Sequence, residues 1–167
     1  MKINIRLATP ADAPDMAEIH ARSWEVAYKD IIPEEYIKEK NKTRPALWKR
    51  IITEENTSRY VIETQGRIVG FVHADPPRDD DLDDSFYELH GLYLYPDYYR
   101  KGIGSQAMAF VFAKVRALGK TNMALYVLSE NANSIQFYEK CGFTADGKTD
   151  TYDYGKMMQG IRMRKSL

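Results

Sequence analysis

Cysteine is almost absent. Cys141 stands alone, so no internal disulfide can form, and no Cys/His cluster with metal-ligand spacing exists. A bound metal is therefore not expected. Net charge is absent as well: 24 Lys and Arg balance 24 Asp and Glu. No global basic field exists to collect nucleic acid or an anionic membrane surface, and neither partner is expected. Long apolar runs are missing. No stretch approaches the ~20 residues needed to cross a bilayer, and Met1-Lys2-Ile3-Asn4-Ile5-Arg6 leads into no signal-peptide core. The cytoplasm is the expected address. Internal repeats and Gly/Ser linkers are lacking too, which leaves residues 1–167 as a single domain.

What is there is a succession of short, well-punctuated segments. Ile3 to Leu7 reads as a first strand. Thr9-Pro10-Ala11-Asp12 reads as a helix start, with Thr9 as N-cap, Pro10 in the first turn and Asp12 near the positive end of the dipole. Met16, Ile19, Trp24, Ala27 and Tyr28 follow at helical spacing. Pro33 opens a second short helix, and Arg44 to Ile52 continues the helical region. Arg59–Glu63 and Ile68–His73 form a hairpin about Gln65-Gly66-Arg67. Residues 75–84 form an acidic loop, and Tyr87–Tyr95 is a further strand. Gly102–Leu118 has helical periodicity and stops at Gly119. Met123–Leu128 reads as a buried strand, Asn131–Lys140 as a helix ending at Gly142, and Thr149–Leu167 as the last one or two strands. This order predicts an α+β, or mixed α/β, layered protein rather than a regular βα repeat.

Two segments carry the chemistry. In Tyr99-Arg100-Lys101-Gly102-Ile103-Gly104-Ser105 a strand has just ended and glycines open a long helix. Glycine lets a backbone approach a ligand closely. A helix N-terminus presents unpaired N–H groups with a partial positive charge, which suits a phosphate or pyrophosphate. The segment is not a P-loop, because no Lys-Ser/Thr pair follows the second glycine. Nor is it a dinucleotide fingerprint, because Ala107 replaces the third glycine. The second segment runs from Asn131 to Phe143: a capped amphipathic helix with Ser134, the pair Phe137-Tyr138, and Gly142-Phe143 at its end.

Pro96–Ser105 resembles motif A of the GNAT superfamily of acyltransferases, and Asn131–Phe143 resembles its motif B. The order and separation match as well. One departure is plain: Tyr99 occupies the usual Gln or Arg position, with Arg100 one place later. The resemblance implies a mostly antiparallel, twisted central sheet of six to seven strands, flanked by about four helices, with a splayed parallel strand pair holding CoA. It implies acetyl-CoA as cofactor and acetyl transfer to a primary amine of a small molecule, a polyamine among them, or of a protein. It assigns the pyrophosphate to Tyr99, Arg100, Lys101, Gly102, Ile103, Gly104 and Ser105. The pantetheine arm falls to Leu92, Tyr93 and Leu94 of the strand and to Asn131 and Ser134. Tyr138 is implied near the sulfur, as general acid for the departing thiolate.

An ammonium group needs its proton removed before it can attack a thioester. Glu88, eleven residues before Tyr99, is the candidate base, at the offset of the glutamate base in histone acetyltransferases of the superfamily. His90, two residues on and with an ordinary pKa near 6.5, is the alternative, or a partner acting through water. Trp24 and Tyr28 are candidates for the acceptor wall, though aromatics at this spacing commonly serve as core. Tyr152, Asp153 and Tyr154 are a further candidate rim. Asp75, Asp79, Asp80, Asp81, Asp83 and Asp84 either form a solvated face or steer a cationic amine. A homodimer is left open. The alternative function is a CoA-binding sensor or interaction module with little turnover, which Tyr99 favours and the retention of Glu88 and Tyr138 disfavours.

Overall fold

Successive side chains of a strand point to opposite faces. In Val69-Gly70-Phe71-Val72 both faces are apolar, so this strand needs cover on both sides. The computed structural model, which describes residues 2–54 and 58–167, supplies it. The elements are β1 (Asn4–Leu7), a 3-10 turn (Pro10–Asp12), α1 (Ala13–Ala27), α2 (Glu34–Ile51), β2 (Ser58–Thr64), β3 (Arg67–Asp75) and β4 (Phe86–Leu94). A second 3-10 turn (Pro96–Tyr98), α3 (Ile103–Ala117), β5 (Asn122–Leu128), α4 (Ala132–Lys140), β6 (Thr144–Asp153) and β7 (Met157–Ser166) complete them. The strands form one sheet in the order β1-β2-β3-β4-β5-β7-β6. Every pairing is antiparallel except β4 with β5. This is the mixed α/β architecture expected from the sequence.

Phe71 and Val61 face α1 and α2, where they pack with Met16, Ile19 and Trp48. Val72 and Leu89 face the other way and join Met108, Val111 and Val115 of α3 and Phe143 after α4. Two apolar layers thus clamp the sheet. Phe71, Met16 and Phe143 are essentially sealed from water, and each such side chain contributes roughly 1.5–3 kcal/mol by burial.

Two boundaries differ from the sequence reading. The second helical region is one helix running through Pro45. Proline lacks an N–H, so the Asn41 carbonyl loses its intrahelical donor, and packing of Ile37 and Trp48 carries the helix across the gap. At the far end β6 begins at Thr144, five residues before the expected strand, because it pairs with β7 through Arg164 and Met163 and then shifts register before Thr149.

The acidic loop is neither a free solvated run nor an open negative field. Arg162 of β7, 3% exposed, bonds Asp79 and Asp81 at 2.8 Å and Asp146 of β6 at 2.8 Å. Lys148 adds a 2.8 Å bond to Asp81, and the Tyr126 hydroxyl donates to Asp79 at 2.6 Å. Asp84 meets Lys120, Asp75 meets His73, and Asp83 accepts from Ser85. The loop is therefore strapped across β5, β7 and β6, and Asp79, Asp81 and Asp84 meet cations. Hydrogen bonds from Arg162 hold the Asp81 carboxyl well below the usual carboxylate range. Among the described residues no helix is long and apolar enough to cross a membrane, and no group of acidic, His or Cys side chains is arranged to hold a metal.

Arg162→Met removes the common partner of three carboxylates. Asp81 is half exposed and gains correspondingly little from its pair. The expected loss is about 2 kcal/mol, most of it from Asp79 and Asp146. At 2–4 °C per kcal/mol for a domain of this size, Tm falls by about 4–8 °C at neutral pH. The folded-state pKa values of Asp79 and Asp81 are depressed, so this stabilisation is present above the ordinary value near 3.9 and is lost as pH falls through the depressed ones. Calorimetric melts of both proteins from pH 7 downward should show the gap narrow below about pH 4. A gap independent of pH would mean that Arg162 acts by packing alone.

Candidate active site

Parallel pairing of β4 with β5 runs only from Phe86–Asn122 to Leu89–Leu125. β4 then continues to Leu94 and β5 to Leu128, and the two strands part. On its other side β4 stays paired with β3, His73 opposite Gly91 and Ala74 opposite Leu89. His90 is thereby the extra residue of a β-bulge, a device that bends a strand and re-aims a side chain. Past the parting, the β4 edge that faces β5 keeps unpaired backbone groups, which need partners. A cleft of about 1000 Å³ opens there.

The sequence-predicted residues converge on this cleft. Glu88, His90, Leu92, Tyr93, Leu94, Tyr99, Arg100, Gly102, Gly104, Ser105, Asn131, Ser134, Tyr138, Trp24, Tyr28 and Tyr152 all line it. Two members of the pyrophosphate loop do not reach it with their side chains. Ile103 is buried in the core beside Ala107, and the Lys101 ammonium lies over the Tyr98 ring, 5.2 Å from its centroid.

The α3 N-terminus has the features expected of an anion site. Gly102, the N-cap, sits at φ 76° and contributes no side-chain cap; only glycine holds that left-handed geometry without strain. Arg100 is also left-handed, at φ 57°, an uncommon and costly state for a residue with a Cβ. The first N–H groups of α3 are thus left for a ligand, and no bulk stands over them at Gly104. A Cβ there would meet the Phe137 ring of α4 at 3.1 Å. These residues fit a pyrophosphate cradle. Tyr99 is half-buried against the cluster that holds Ile103 and Ala107, while Arg100 is exposed. Arg100 is accordingly the cation available beside the cradle.

Asn131 lines the cleft, and its Oδ1 accepts from the Ser134 N–H at 3.2 Å and caps α4. Tyr138 packs against Phe137 and Phe143, with ring centroids 5.3 and 6.0 Å away. Burial raises its phenol pKa, so the hydroxyl keeps its proton at any physiological pH. Trp24 lies edge-on to Tyr28 at 4.9 Å and Tyr154 at 5.6 Å, and carries the buried Arg44 guanidinium 4.5 Å above its ring. It is core on one side and cleft wall on the other.

The base region holds a residue that the sequence reading passed over. Glu88 is 1% exposed. Its Oε1 lies 3.1 Å from Arg78 Nε and 3.8 Å from His90 Nδ1, and its Oε2 accepts from the Arg78 backbone N–H at 3.0 Å. Burial pushes the Glu88 pKa up, against the Arg78 contacts. Burial and the nearby His73 pull His90 down to about 4, so its imidazole is neutral at pH 7. Both groups can accept a proton there. Arg78 did carry a signal: it is the lone Lys or Arg between Arg67 and Arg100. Tyr154, a candidate rim residue, lines the cleft with Tyr152; Tyr126, which lines it too, carried no signal.

A model of the acetyltransferase (GNAT) family matches residues 14–143. The chain belongs to that family. Curated relatives agree. An uncharacterised N-acetyltransferase of Methanocaldococcus jannaschii, MJ1207, is 29% identical over 142 residues, covering 83% of this chain; the match spans 59% of that relative's length. A spermidine N(1)-acetyltransferase of Thermoplasma acidophilum is 27% identical over 160 residues, 92% of this chain and 95% of its own. In fold, the chain is similar to the crystal structure of PaiA N-acetyltransferase from Thermoplasma acidophilum in complex with coenzyme A. The TM-score is 0.81 at 24% identity, with both chains fully covered.

For this GNAT chain the cradle yields a direct test. Gly104→Val drives a branched side chain toward Phe137 and into the space over the α3 N–H groups. The thermal stabilisation that CoA is expected to give the wild type should vanish in the variant, read by differential scanning fluorimetry across a CoA titration. A variant that kept the full shift would take the ligand away from this loop.

Proposed function

We propose that the protein is an acetyl-CoA-dependent N-acetyltransferase that transfers acetyl directly to a primary amine. One observation carries this reading: a proton-accepting pair, a proton-holding phenol and an uncapped helix N-terminus line the same cleft. The coenzyme bound by the PaiA protein supports the choice of cofactor. The N–H groups from Gly102 to Ser105 would hold its pyrophosphate, with Arg100 beside them. Leu92–Leu94 and Asn131 would hold the arm. When bound, it supplies acetyl as an activated thioester.

The protein's own residues then have three tasks. Glu88 and His90, 3.8 Å apart, take the proton from the incoming ammonium through a water. Glu88 is 1% exposed and Arg78 contacts both its oxygens, which favours a water between the carboxylate and the amine. A backbone N–H of β4 beyond the parting would supply a donor for the developing negative charge, fixed before the reaction begins. Tyr138 Oη holds the proton that a leaving thiolate needs. Its raised pKa keeps the phenol neutral and so able to donate. The occupied oxygens of Glu88 also favour the second reading, a CoA-binding module with little turnover. A thiol-release assay with acetyl-CoA and a panel of amines separates the two.

Tyr138→Phe is expected to lower kcat by ~10-fold or more while CoA affinity stays close to wild type; unchanged turnover would return Tyr138 to packing. Glu88→Gln should cut kcat/KM most at neutral pH, with recovery as pH rises toward the amine's own pKa, where free amine arrives without help. The sign follows from the raised pKa of Glu88: wild-type activity falls on the acid side as that carboxylate gains a proton, and the variant loses that limb. A pH profile for Glu88→Gln parallel to wild type would move the base to His90 or to bulk water.

A further inference from the structure

We propose that Arg78 is an anchor for a carboxylate on the acceptor, and that the acceptor is an α-amino acid with an apolar or aromatic side chain. This rests on the acetyltransferase reading above and names the substrate class of the same cleft.

The guanidinium is held in place on three sides. Nε pairs with Glu88 Oε1 at 3.1 Å. Nη2 donates to the Tyr152 hydroxyl at 3.1 Å. The plane lies over the Tyr126 ring, 4.5 Å from its centroid. The segment that carries it is strapped down immediately afterwards, where Asp79 and Asp81 meet Arg162. A guanidinium has five N–H donors in a rigid fork. One is spent on Tyr152, and Nε lies in ion-pair contact with Glu88. Both donors of Nη1 and the second of Nη2 have no protein partner among the described residues, and these two nitrogens form the edge that matches a carboxylate bidentately. The side chain is 44% exposed and lines the cleft. A fixed, half-solvated cation with a vacant fork is built to receive an anion. It loses little conformational freedom in doing so.

Position narrows the anion further. The fork is attached to the carboxylate proposed to accept the amine's proton, so the ammonium and the carboxylate of the acceptor must sit close together. An α-amino acid carries both on one carbon. Around them stand Trp24, Tyr28, Tyr126, Tyr152 and Tyr154, with Tyr152 and Tyr154 stacked at 5.5 Å and 10°. That wall offers flat apolar surface to a side chain. A polyamine fits less well. Among the described residues Glu88 is the cleft's sole lining carboxylate and it is already paired, Asp79, Asp81 and Asp84 of the acidic loop are held by Arg162, Lys148 and Lys120, and Arg78 would repel a second ammonium.

The test compares acceptors that differ only in the carboxylate. L-phenylalanine, L-leucine and L-methionine, their carboxamides, their decarboxylated amines and spermidine are assayed for thiol release with acetyl-CoA, using wild type and Arg78→Gln. Binding of each to the CoA-loaded protein is measured by calorimetry in parallel. The wild type should prefer acid over amide by about 10- to 100-fold in kcat/KM, mostly through KM, as expected of a charge-assisted hydrogen bond. Arg78→Gln should collapse that ratio toward one. Any harm the change does to Glu88 lowers acid and amide alike and leaves the ratio untouched. Equal use of acid and amide by the wild type, preference for spermidine, or an acid preference that survives Arg78→Gln each overturns the anchor while leaving the acetyltransferase reading intact. Acids that bind more tightly than amides by calorimetry but release no thiol uphold the anchor and overturn that reading. No acid binding above the amide in either assay overturns the anchor.

Discussion

The parting of β4 from β5 is the constraint on which the site depends. A sheet holds together by pairing backbone groups, and a strand edge left unpaired away from bulk water is costly. Here the parallel ladder stops at Leu89–Leu125, although both strands run on. Three features keep them apart. The bulge at His90 bends β4. Phe137 and Tyr138 of α4 pack against the core cluster on the same face as α3. The turn at Pro96–Tyr98 leads β4 into the left-handed Arg100 and Gly102. The exposed edge and the uncapped α3 N-terminus are then two sets of unsatisfied donors facing one space. The cofactor reading follows from those donors before any side chain is considered.

The second support is ionic. Arg162 is buried, and taking a guanidinium out of water is unfavourable unless each of its donors is met. Asp79, Asp81 and Asp146 meet them. A buried ion cluster of this kind stabilises little over an apolar replacement, but it admits few alternative geometries. Its consequence is positional: it fixes the segment carrying Arg78, whose backbone N–H bonds Glu88 and whose guanidinium pairs with it. The strap across β5, β7 and β6 thereby sets the protonation environment of the candidate base on β4. The same pairing offsets the charge of Asp79 and Asp81 within the acidic stretch 75–84.

How much of this was legible in the sequence depends on the range of the signal. Gly102, Gly104, Asn131 and Gly142 announce turns and caps through local backbone rules, so the cradle and the α4 start were readable, and the residues around them do line one cleft. Strand and helix order was readable for the same reason. Local rules misled at Pro45, which punctuates a sequence but sits inside a helix held by distant packing. They also misled at Thr144–Lys148, whose pairing is set by β7. The acidic loop was opaque because its partners lie far along the chain: Asp79 and Arg162 are 83 residues apart, and Asp81 and Lys148 are 67. No periodicity reports such a pair, and Arg78 disappeared into the run of aspartates around it.

The most direct check of the account is where CoA touches the backbone. Amide chemical shifts, followed in isotope-labelled protein through a CoA titration, read the donors themselves. The account predicts the largest changes at Gly91–Leu94, past the parting, and at Gly102–Ser105, with smaller ones around Asn131 and near silence in β1 and β2. Changes spread over the sheet, or centred away from the β4 edge and the α3 N-terminus, would contradict it.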